Sequence, residues 1–518
     1  MQNQPTNSSS LANNQRIAKN TLLLYVRMLF IMGVSLYTSR EVLSALGVDD
    51  FGTYGVVGSI ITMFTFINAA MVTSTQRFLT FEIGRNNIVR LKQVFSTSLQ
   101  IHALISLLIV LLGETIGLWI LFNKMVIPET RMTAAFWVYQ CSILACVATI
   151  MSTPYKANIV SREEMAAFAY ISVVEVTLKL AIVYLLSISP FDKLIVYALL
   201  ILLVQISINL IYVVYCKRHY EEATYSHHIE RPLFKEMSHF AGWSFWGNLA
   251  SILNTQGINL LLNVSFGLVC NSAREFAVQV QTAVQQFVGN FQMALNPQIT
   301  KNYATGNLQE MHTLMFRSAR FSFFLLYFLA LPIILETNFV LTTWLKNVPD
   351  YTVIFTQIIL CTSLINTTAS PCVIANQATG KVKVYQAVVG GILLITLPLA
   401  YIALQLGAPA YGVFIVQLCI DIIAQLARML MLRNQITLPL RAYLRNIYLP
   451  IFLVVVSSLV LPILVHQQLD EGWLRFIAVG TTCVISVSSM SFMIGLTAGE
   501  RKFIIRKFNE NVVHRIFK

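Results

Sequence analysis

Long apolar stretches recur along the whole chain and are separated by short polar loops. There are about fourteen of them, each about 20 to 28 residues long. A hydrocarbon core of about 30 Å needs about 20 consecutive apolar residues per helical span, and a helix satisfies its own backbone hydrogen bonds where no water is available. The pattern therefore predicts an all-α, polytopic membrane protein with about 14 transmembrane helices.

The predicted spans form two blocks of six and a final pair. The first block comprises 20–45, 53–80, 95–122, 132–157, 167–187 and 194–216. The second comprises 238–266, 272–299, 315–340, 351–378, 384–406 and 410–432, and the pair comprises 446–467 and 474–497. The predicted regions are an N-terminal segment (1–19), an N-lobe (20–216), a connector (217–237), a C-lobe (238–432), helices 13 and 14 (433–497) and a tail (498–518).

A glycine-bearing turn follows the first helix of each six-helix block. These turns are Leu46-Gly47 and Phe266-Gly267. The match favours two pseudosymmetric lobes, an arrangement that places a substrate site between the halves of many transporters. A chance match is the alternative.

The placement of lysine and arginine predicts the orientation of the chain in the membrane. Alternate loops and the two termini together hold 25 of the 36 basic residues. The opposite loops hold only Lys124, Arg131, Lys193, Arg274, Lys346 and Arg475. Because cytoplasmic loops carry such an excess, both termini are predicted to be cytoplasmic. The net charge of +13 then reflects topology and not binding of nucleic acid.

Composition agrees with a membrane protein and excludes a soluble helical one. Hydrophobic residues make up 56% of the chain and charged residues 11%, whereas about a quarter of the residues are charged in soluble proteins. The polar segment through Gln15 contains no apolar core of a cleavable signal peptide, so the first helix is expected to stay in place. The eight cysteines form no CxxC pair and are interpreted as packing residues, and we predict neither a metal site nor a cofactor.

Carboxamides and hydroxyls recur within the predicted seventh, eighth and tenth spans. Those chosen as candidates for the lining of a cavity are Asn248, Thr255, Asn259, Asn263, Gln279, Gln286, Asn290 and Asn366. Each is costly in lipid unless it faces a partner or a watery cavity. Their number favours a hydrated passage whose amides suit the hydroxyl groups of a sugar. Hydrogen bonds between helices are the alternative.

Charged residues also lie within the spans. Arg27, Arg77, Arg274 and Lys179 are candidate ligands for a diphosphate, because guanidinium and ammonium groups bind phosphate oxygens. Anchoring at the membrane surface is an equally open role for the three arginines. Asp421 and Glu175 are candidates for ion coupling, although Glu175 is explained more simply as the partner of Lys179 four residues later. Glu114 and Glu336 are expected at the outer interface without a special role.

Several short runs in this sequence resemble one known family. They are Arg40, Leu46-Gly47, Asp50-Phe51-Gly52, Tyr54, Trp243-Ser244, Gly257-Ile258-Asn259, Asn263, Phe266-Gly267, Asn271-Ser272-Ala273-Arg274, Gln279-Val280, Gln285-Gln286-Phe287, Asn290-Phe291-Gln292 and Asn296-Pro297-Gln298. The chain resembles, over nearly its whole length, the Wzx-type polysaccharide-repeat flippases of the multidrug, oligosaccharidyl-lipid and polysaccharide exporter superfamily. The resemblance is specific at the level of the superfamily, and it says less about the substrate.

The resemblance implies transport without covalent chemistry. An undecaprenyl-diphosphate-linked oligosaccharide, the O-antigen type of cargo, would cross from the cytoplasmic to the periplasmic leaflet of a bacterial inner membrane by alternating access. A gradient of H⁺ or Na⁺ would drive it. The implied partners are the lipid-linked oligosaccharide, membrane lipids, a polysaccharide polymerase and glycosyltransferases, around a monomeric transporter. The related lipid II flippases use arginines on their first, second and eighth helices, on which Arg27, Arg77 and Arg274 fall here.

Two other functions are weighed against the flippase. A multidrug or cation antiporter of the same fold keeps acidic residues in its first, seventh or tenth helix, whereas here the seventh and tenth spans contain none and the first has only Glu41. A membrane glycosyltransferase or polysaccharide polymerase needs an acidic metal-binding motif or a large outer loop. No DxD or HExxH motif occurs, and the outer loops are short.

Overall fold

A computed structural model describes residues 7–123, 127–224, 230–345, 348–502 and 505. Every regular element in these ranges is a helix. The helices are α1 Asn7–Leu46, α2 Val48–Gly84, α3 Ile88–Leu112, α4 Leu118–Asn123, α5 Met132–Ser161, α6 Met165–Ile188, α7 Lys193–His219, α8 Arg231–Ala304, α9 Leu308–Leu335, α10 Thr337–Leu345, α11 Thr352–Thr379, α12 Val382–Gln405, α13 Gly412–Ile436, α14 Leu440–Tyr443, α15 Leu449–Gln468 and α16 Trp473–Met490. One-turn π-helices continue α3 into α4, join α14 to α15 and follow α16.

Ten helical segments within the described ranges are long and apolar enough to cross a membrane. They coincide with the predicted spans three to six and nine to fourteen, which confirms an all-α, multi-pass membrane protein. The other four predicted spans fall within α1, α2 and α8, so the total of fourteen and the side on which the termini lie stay predictions. Helix α1 begins at Asn7, inside the segment predicted to precede it, because hydropathy marks the membrane-embedded part of a helix and not its polar extension.

The chain packs into two compact units. The first comprises Met1–Asn248 and Met293–Asn307, and the second comprises Leu249–Gln292 and Leu308–Lys518. Helix α8 thus contributes both of its ends to the first unit and its middle to the second. This division follows packing, whereas the predicted lobes follow the order of the chain.

The middle of α8 turns back on itself. Arg274 Nη2 donates a hydrogen bond to the carbonyl oxygen of Thr255 at 3.1 Å, although 19 residues of straight helix would span about 28 Å. The turn predicted at Phe266-Gly267 lies in the interval between these two residues. Ile258 and Ala273, one from each side of the turn, belong to the same apolar cluster of the second unit.

In the first unit, an arginine between two acidic residues links the starts of α2, α5 and α7. Arg131 Nε donates to Asp50 Oδ1 at 2.7 Å, and its Nη1 donates to Asp192 Oδ2 at 2.6 Å. Asp192 also caps α7 by accepting from the backbone N–H groups of Leu194 and Ile195. Burial opposes ionisation of Asp192, but its bonds to Arg131 and to these N–H groups outweigh burial and lower the pKa of Asp192.

In the second unit, ion pairs link α9 and the residue that follows it to later parts of the chain. The Glu336 carboxylate, which is fully buried, accepts from Arg475 Nε at 3.2 Å and contacts His466 Nδ1 at 2.9 Å. Near the middle of α9, Arg320 Nη2 lies 2.6 Å from Oε2 of Glu500, a residue beyond α16. The expectation that Glu336 has no special role was wrong, because hydropathy does not show that an arginine far along the chain folds onto it.

Gly495 lies where α16 meets α9, and it provides a test of this attachment. A Cβ atom at Gly495 would lie 2.6 Å from Cε2 of the buried Phe324, whereas one at Gly480, in α16, would meet nothing within 4 Å. We expect Gly495→Ala to destabilise the protein by about 1 to 3 kcal/mol, the usual cost of overpacking. Gly480→Ala is the matched control. Melting temperatures in detergent compare the two, and equal values would contradict the close packing.

Candidate functional site

The first unit contains a cavity of about 370 Å³ between α1, α6 and α7. Its lining residues are Arg27, Ile31, Ser35 and Thr38 of α1, Ser172, Glu175, Val176 and Lys179 of α6, and Tyr197 of α7. On α1 these residues are three or four apart, and on α6 they follow the pattern i, i+3, i+4 and i+7, so on each helix the side chains lie on one face. The cavity therefore brings together three of the residues predicted from sequence, namely Arg27, Lys179 and Glu175.

The charged groups of the cavity differ in how far they are satisfied. Lys179 Nζ lies 2.6 Å from Glu175 Oε1, in the favourable order along α6. The Arg27 guanidinium lies over the ring of Phe168, 4.6 Å from its centroid. Its Nε is buried and has no hydrogen-bond partner among the described residues, and the same holds for Thr38 Oγ1. Arg27 thus lines the cavity without an ion-pair partner among the described residues.

A further cation, Lys156 of α5, belongs to this group although the sequence placed it in a cytoplasmic loop. Its Nζ lies 5.1 Å from the centroid of the Tyr212 ring, and it interacts electrostatically with Glu175, Lys179 and Arg27. The sequence analysis counted it among the basic residues of a loop because the predicted span ends at 157, whereas α5 continues to Ser161. Three cations and one carboxylate leave this group with a net charge of +2.

The other two predicted arginines are engaged elsewhere. Arg77 lies among three aromatic rings, 4.5 Å from the centroid of Phe78, 4.8 Å from that of Phe81 and 5.6 Å from that of Phe240. Buried Arg274 holds the turn of α8 through Thr255 and contacts Glu275 Oε1 at 3.1 Å. Neither lines the cavity of the first unit, so the structure does not assemble the three arginines at one place there.

Part of the polar face of α8 packs against neighbouring helices of the second unit. Gln281 Nε2 donates to Ser363 Oγ at 2.7 Å. Gln292 Nε2 donates to Ser322 Oγ at 3.1 Å, and its Oε1 accepts from Ser370 Oγ at 2.9 Å. These glutamines are hydrogen-bonding links between helices, which is the alternative that the sequence left open.

The carboxamides and hydroxyls predicted to line a cavity are exposed or half-buried wherever their side chains are described. Exposed positions are Thr255, Gln279, Gln286 and Asn366, half-buried ones are Asn248, Asn259 and Asn290, and the side chain of Asn263 lies outside the described residues. Among the glutamines of α8, those that reach a neighbouring helix are thus distinct from Gln279 and Gln286. Sequence alone does not separate the two sets, because both lie on the polar half of one helix.

Asp421 forms a second polar site, inside the second unit. Its carboxylate is buried and accepts from Asn366 Nδ2 at 3.0 Å. Gln425 and Arg428 follow on the same face of α13 and are also buried, as their spacing predicts. Arg428 Nε and Nη1 have no hydrogen-bond partner in the described part of the chain. An acid and an arginine two helical turns apart are thus both buried on one face of α13, where gain of a proton or a cation would change the local balance of charge.

Comparison with known proteins identifies the fold. No protein-family model matches the chain, and no curated protein matches it. A crystal structure of MATE in the bent conformation covers 85% of this chain and 100% of its own, with a TM-score of 0.72 and 13% identity. An outward-facing multidrug resistance MATE family transporter of the MOP superfamily covers 81% and 96%, with a TM-score of 0.68 and 13% identity. The MATE transporter ClbM in complex with Rb⁺ covers 80% and 94%, with a TM-score of 0.66 and 16% identity. The chain thus has the fold of the MATE transporters.

The different surroundings of two arginines give a test of their roles. Arg274→Met would remove the hydrogen bond to the Thr255 carbonyl and the contact with Glu275 from a buried position, which we expect to cost about 1 to 3 kcal/mol of stability. Arg27→Met would remove a group that forms no ion pair among the described residues, so its effect on stability should be smaller. Melting temperatures of the two variants, compared with the unsubstituted protein, check the order. A larger loss for Arg27→Met would contradict the assignment of Arg27 to ligand binding.

Proposed function

We propose that this protein is a flippase for lipid-linked oligosaccharides. It would move an undecaprenyl-diphosphate-linked repeat unit from the cytoplasmic to the periplasmic leaflet of a bacterial inner membrane by alternating access, for assembly of a surface polysaccharide. The single observation that carries the proposal is the positively charged cavity of the first unit, which Arg27 lines without an ion-pair partner among the described residues. The MATE fold supports transport, and no covalent chemistry is required.

The charge of the cavity fits a diphosphate. A diphosphate esterified at both ends carries about two negative charges at neutral pH. The lining residues Arg27, Lys179 and Glu175 carry a net charge of +1, and Lys156, which lies outside the lining but interacts with all three, brings the total to +2. Stripping water from phosphate and sugar groups to cross about 30 Å of hydrocarbon is prohibitively costly without replacement partners. Guanidinium and ammonium groups supply such partners, and the guanidinium does so with directed hydrogen bonds.

Glu175 would act as an internal counter-ion. In the absence of cargo it neutralises Lys179 at 2.6 Å, which lowers the cost of leaving that ammonium in a low-dielectric site. An arriving diphosphate competes for the same ammonium and releases the carboxylate, which then becomes available to a proton or Na⁺. Glu175 and the buried Asp421 are therefore our candidates for coupling to an ion gradient. The amides Gln279, Gln286 and Asn366 are candidates for contact with the glycan, and we expect a monomer working beside a polymerase and glycosyltransferases.

A multidrug or cation antiporter is the second candidate. Two observations favour it, since a structural neighbour is a multidrug resistance transporter and the cavity contains a carboxylate that could attract a cation. Lys179 weighs against it, because an ammonium at 2.6 Å already neutralises that carboxylate and Arg27 adds further positive charge. The two functions assign opposite roles to Glu175.

Substitution of Glu175 separates these roles. If the cavity binds an anion, Glu175→Gln removes a competitor, so binding of a soluble diphosphate diester to the purified protein should be kept or strengthened about two- to tenfold. Lys179→Met should weaken it, and Glu114→Gln, at an exposed acid, is the matched control. Loss of organic-cation binding in Glu175→Gln, with no diphosphate binding by any variant, would favour the antiporter.

Deletion of the coding sequence in the native host tests the function itself. We expect a lipid-linked oligosaccharide to accumulate facing the cytoplasm, because its head group has lost its route across the membrane. Extraction of the lipid-linked intermediates measures this, and their sugars identify the cargo. Unchanged surface glycan together with altered drug sensitivity would contradict the flippase.

A further inference from the structure

Glu163 lies in the tight loop between α5 and α6 and binds groups distant in the chain. Its Oε1 lies 2.6 Å from Lys301 Nζ, and its Oε2 accepts from Gln298 Nε2 at 2.9 Å. Its backbone carbonyl accepts from Asn20 Nδ2 at 3.0 Å. The side chain of Glu163 is only 4% exposed, so this carboxylate is withdrawn from water and held by protein donors. The loop between α5 and α6, helix α1 and the end of α8 thus make contact at Glu163.

The end of α8 is closely seated in the first unit. Residues 249–292 of the chain pack in the second unit, whereas 293–307 pack in the first. Buried Ala294 contacts an apolar cluster with Leu24, Val160 and Met165. Gly84 faces the last turn of α8 so closely that an added Cβ would lie 2.9 Å from Ala304 Cβ. Helix α8 therefore passes from the second unit into the first, where its end is anchored.

We propose that the bonds of Glu163 to Lys301 and Gln298 form a releasable latch, which holds the end of α8 in the first unit and opens during each transport cycle. This inference rests on the proposed function only in so far as the protein transports by alternating access. It concerns a conformational step and not the identity of the cargo. No part of the cavity around Arg27 is required for it.

The physical reason is that a buried ion pair can be released at low net cost. Desolvation of both charges offsets much of their attraction, so rehydration on opening compensates for the lost pair. Lys301 is 23% exposed and lies at the edge of water, which makes such rehydration possible. Apolar contacts broken on opening would have no such compensation, because their surfaces would become exposed to water. Loss of one partner has the opposite effect, because the remaining charge favours the open, hydrated arrangement.

A buried alanine can report the opening. In a full-length chain with its native cysteines replaced, Ala294→Cys introduces a thiol at a position that is 1% exposed. The measurement is the rate of maleimide labelling in inside-out membrane vesicles. We expect slow labelling with the latch intact and about a tenfold or greater increase with Glu163→Gln or with Lys301→Met. The double reversal Glu163→Lys with Lys301→Glu should restore slow labelling, because it restores an ion pair.

Two controls distinguish release of the latch from other effects. Lys92→Met removes an exposed ion pair with Glu221 and should leave labelling unchanged. A second reporter, Ala198→Cys, lies in the core of the first unit away from the latch and should stay protected in every variant.

Two results would overturn the proposal. One is unchanged labelling of Ala294→Cys in both single variants, and the other is an equal rise at Ala198→Cys, which would show general loosening. Because labelling requires no cargo, failure of the flippase proposal leaves this result unaffected. A released latch with unchanged lipid-linked intermediates would contradict the flippase and not the latch.

Discussion

A charge inside a membrane bundle is stable only when its own unit supplies the partner that water would otherwise supply. This constraint explains most of the buried charges of this protein. Arg274 is bound across the turn of α8, Glu336 by Arg475 and His466, and Arg320 by Glu500. These residues serve the fold.

The exceptions to this constraint indicate function. Buried Nε atoms without a partner occur in Arg27, Arg274 and Arg320 alike, but Arg27 differs in that it lines a cavity and forms no ion pair among the described residues. A charge left without an ionic partner in a dry place costs stability, and such a cost is typical of positions at which a ligand completes the site. Arg428 in the other unit likewise forms no ion pair in the described part of the chain. The account of transport thus depends on where the fold leaves charge incompletely neutralised.

Sequence predicted the membrane spans well, because hydrophobicity over about 20 residues is a property of the chain itself. It also identified Arg27, Glu175 and Lys179 as charged residues within spans, but not that they line one cavity. It could not predict pairings made by folding, such as that of Glu336 with Arg475, or the use of Gln281 and Gln292 as links to α9 and α11. Lys156 was assigned to a loop because hydropathy ended its span at 157, whereas α5 continues to Ser161. Partners remote in sequence decide whether an intramembrane charge is structural or available.

The central claim is that the positive cavity of the first unit binds the diphosphate of a lipid-linked sugar. The most direct measurement is an experimental structure of the full-length protein determined with a polyprenyl-diphosphate sugar. The account predicts phosphate oxygens within hydrogen-bonding distance of Arg27 and Lys179, with the Glu175 carboxylate displaced from the ammonium. Diphosphate bound elsewhere, with the Glu175–Lys179 pair intact and the cavity without ligand, would contradict it.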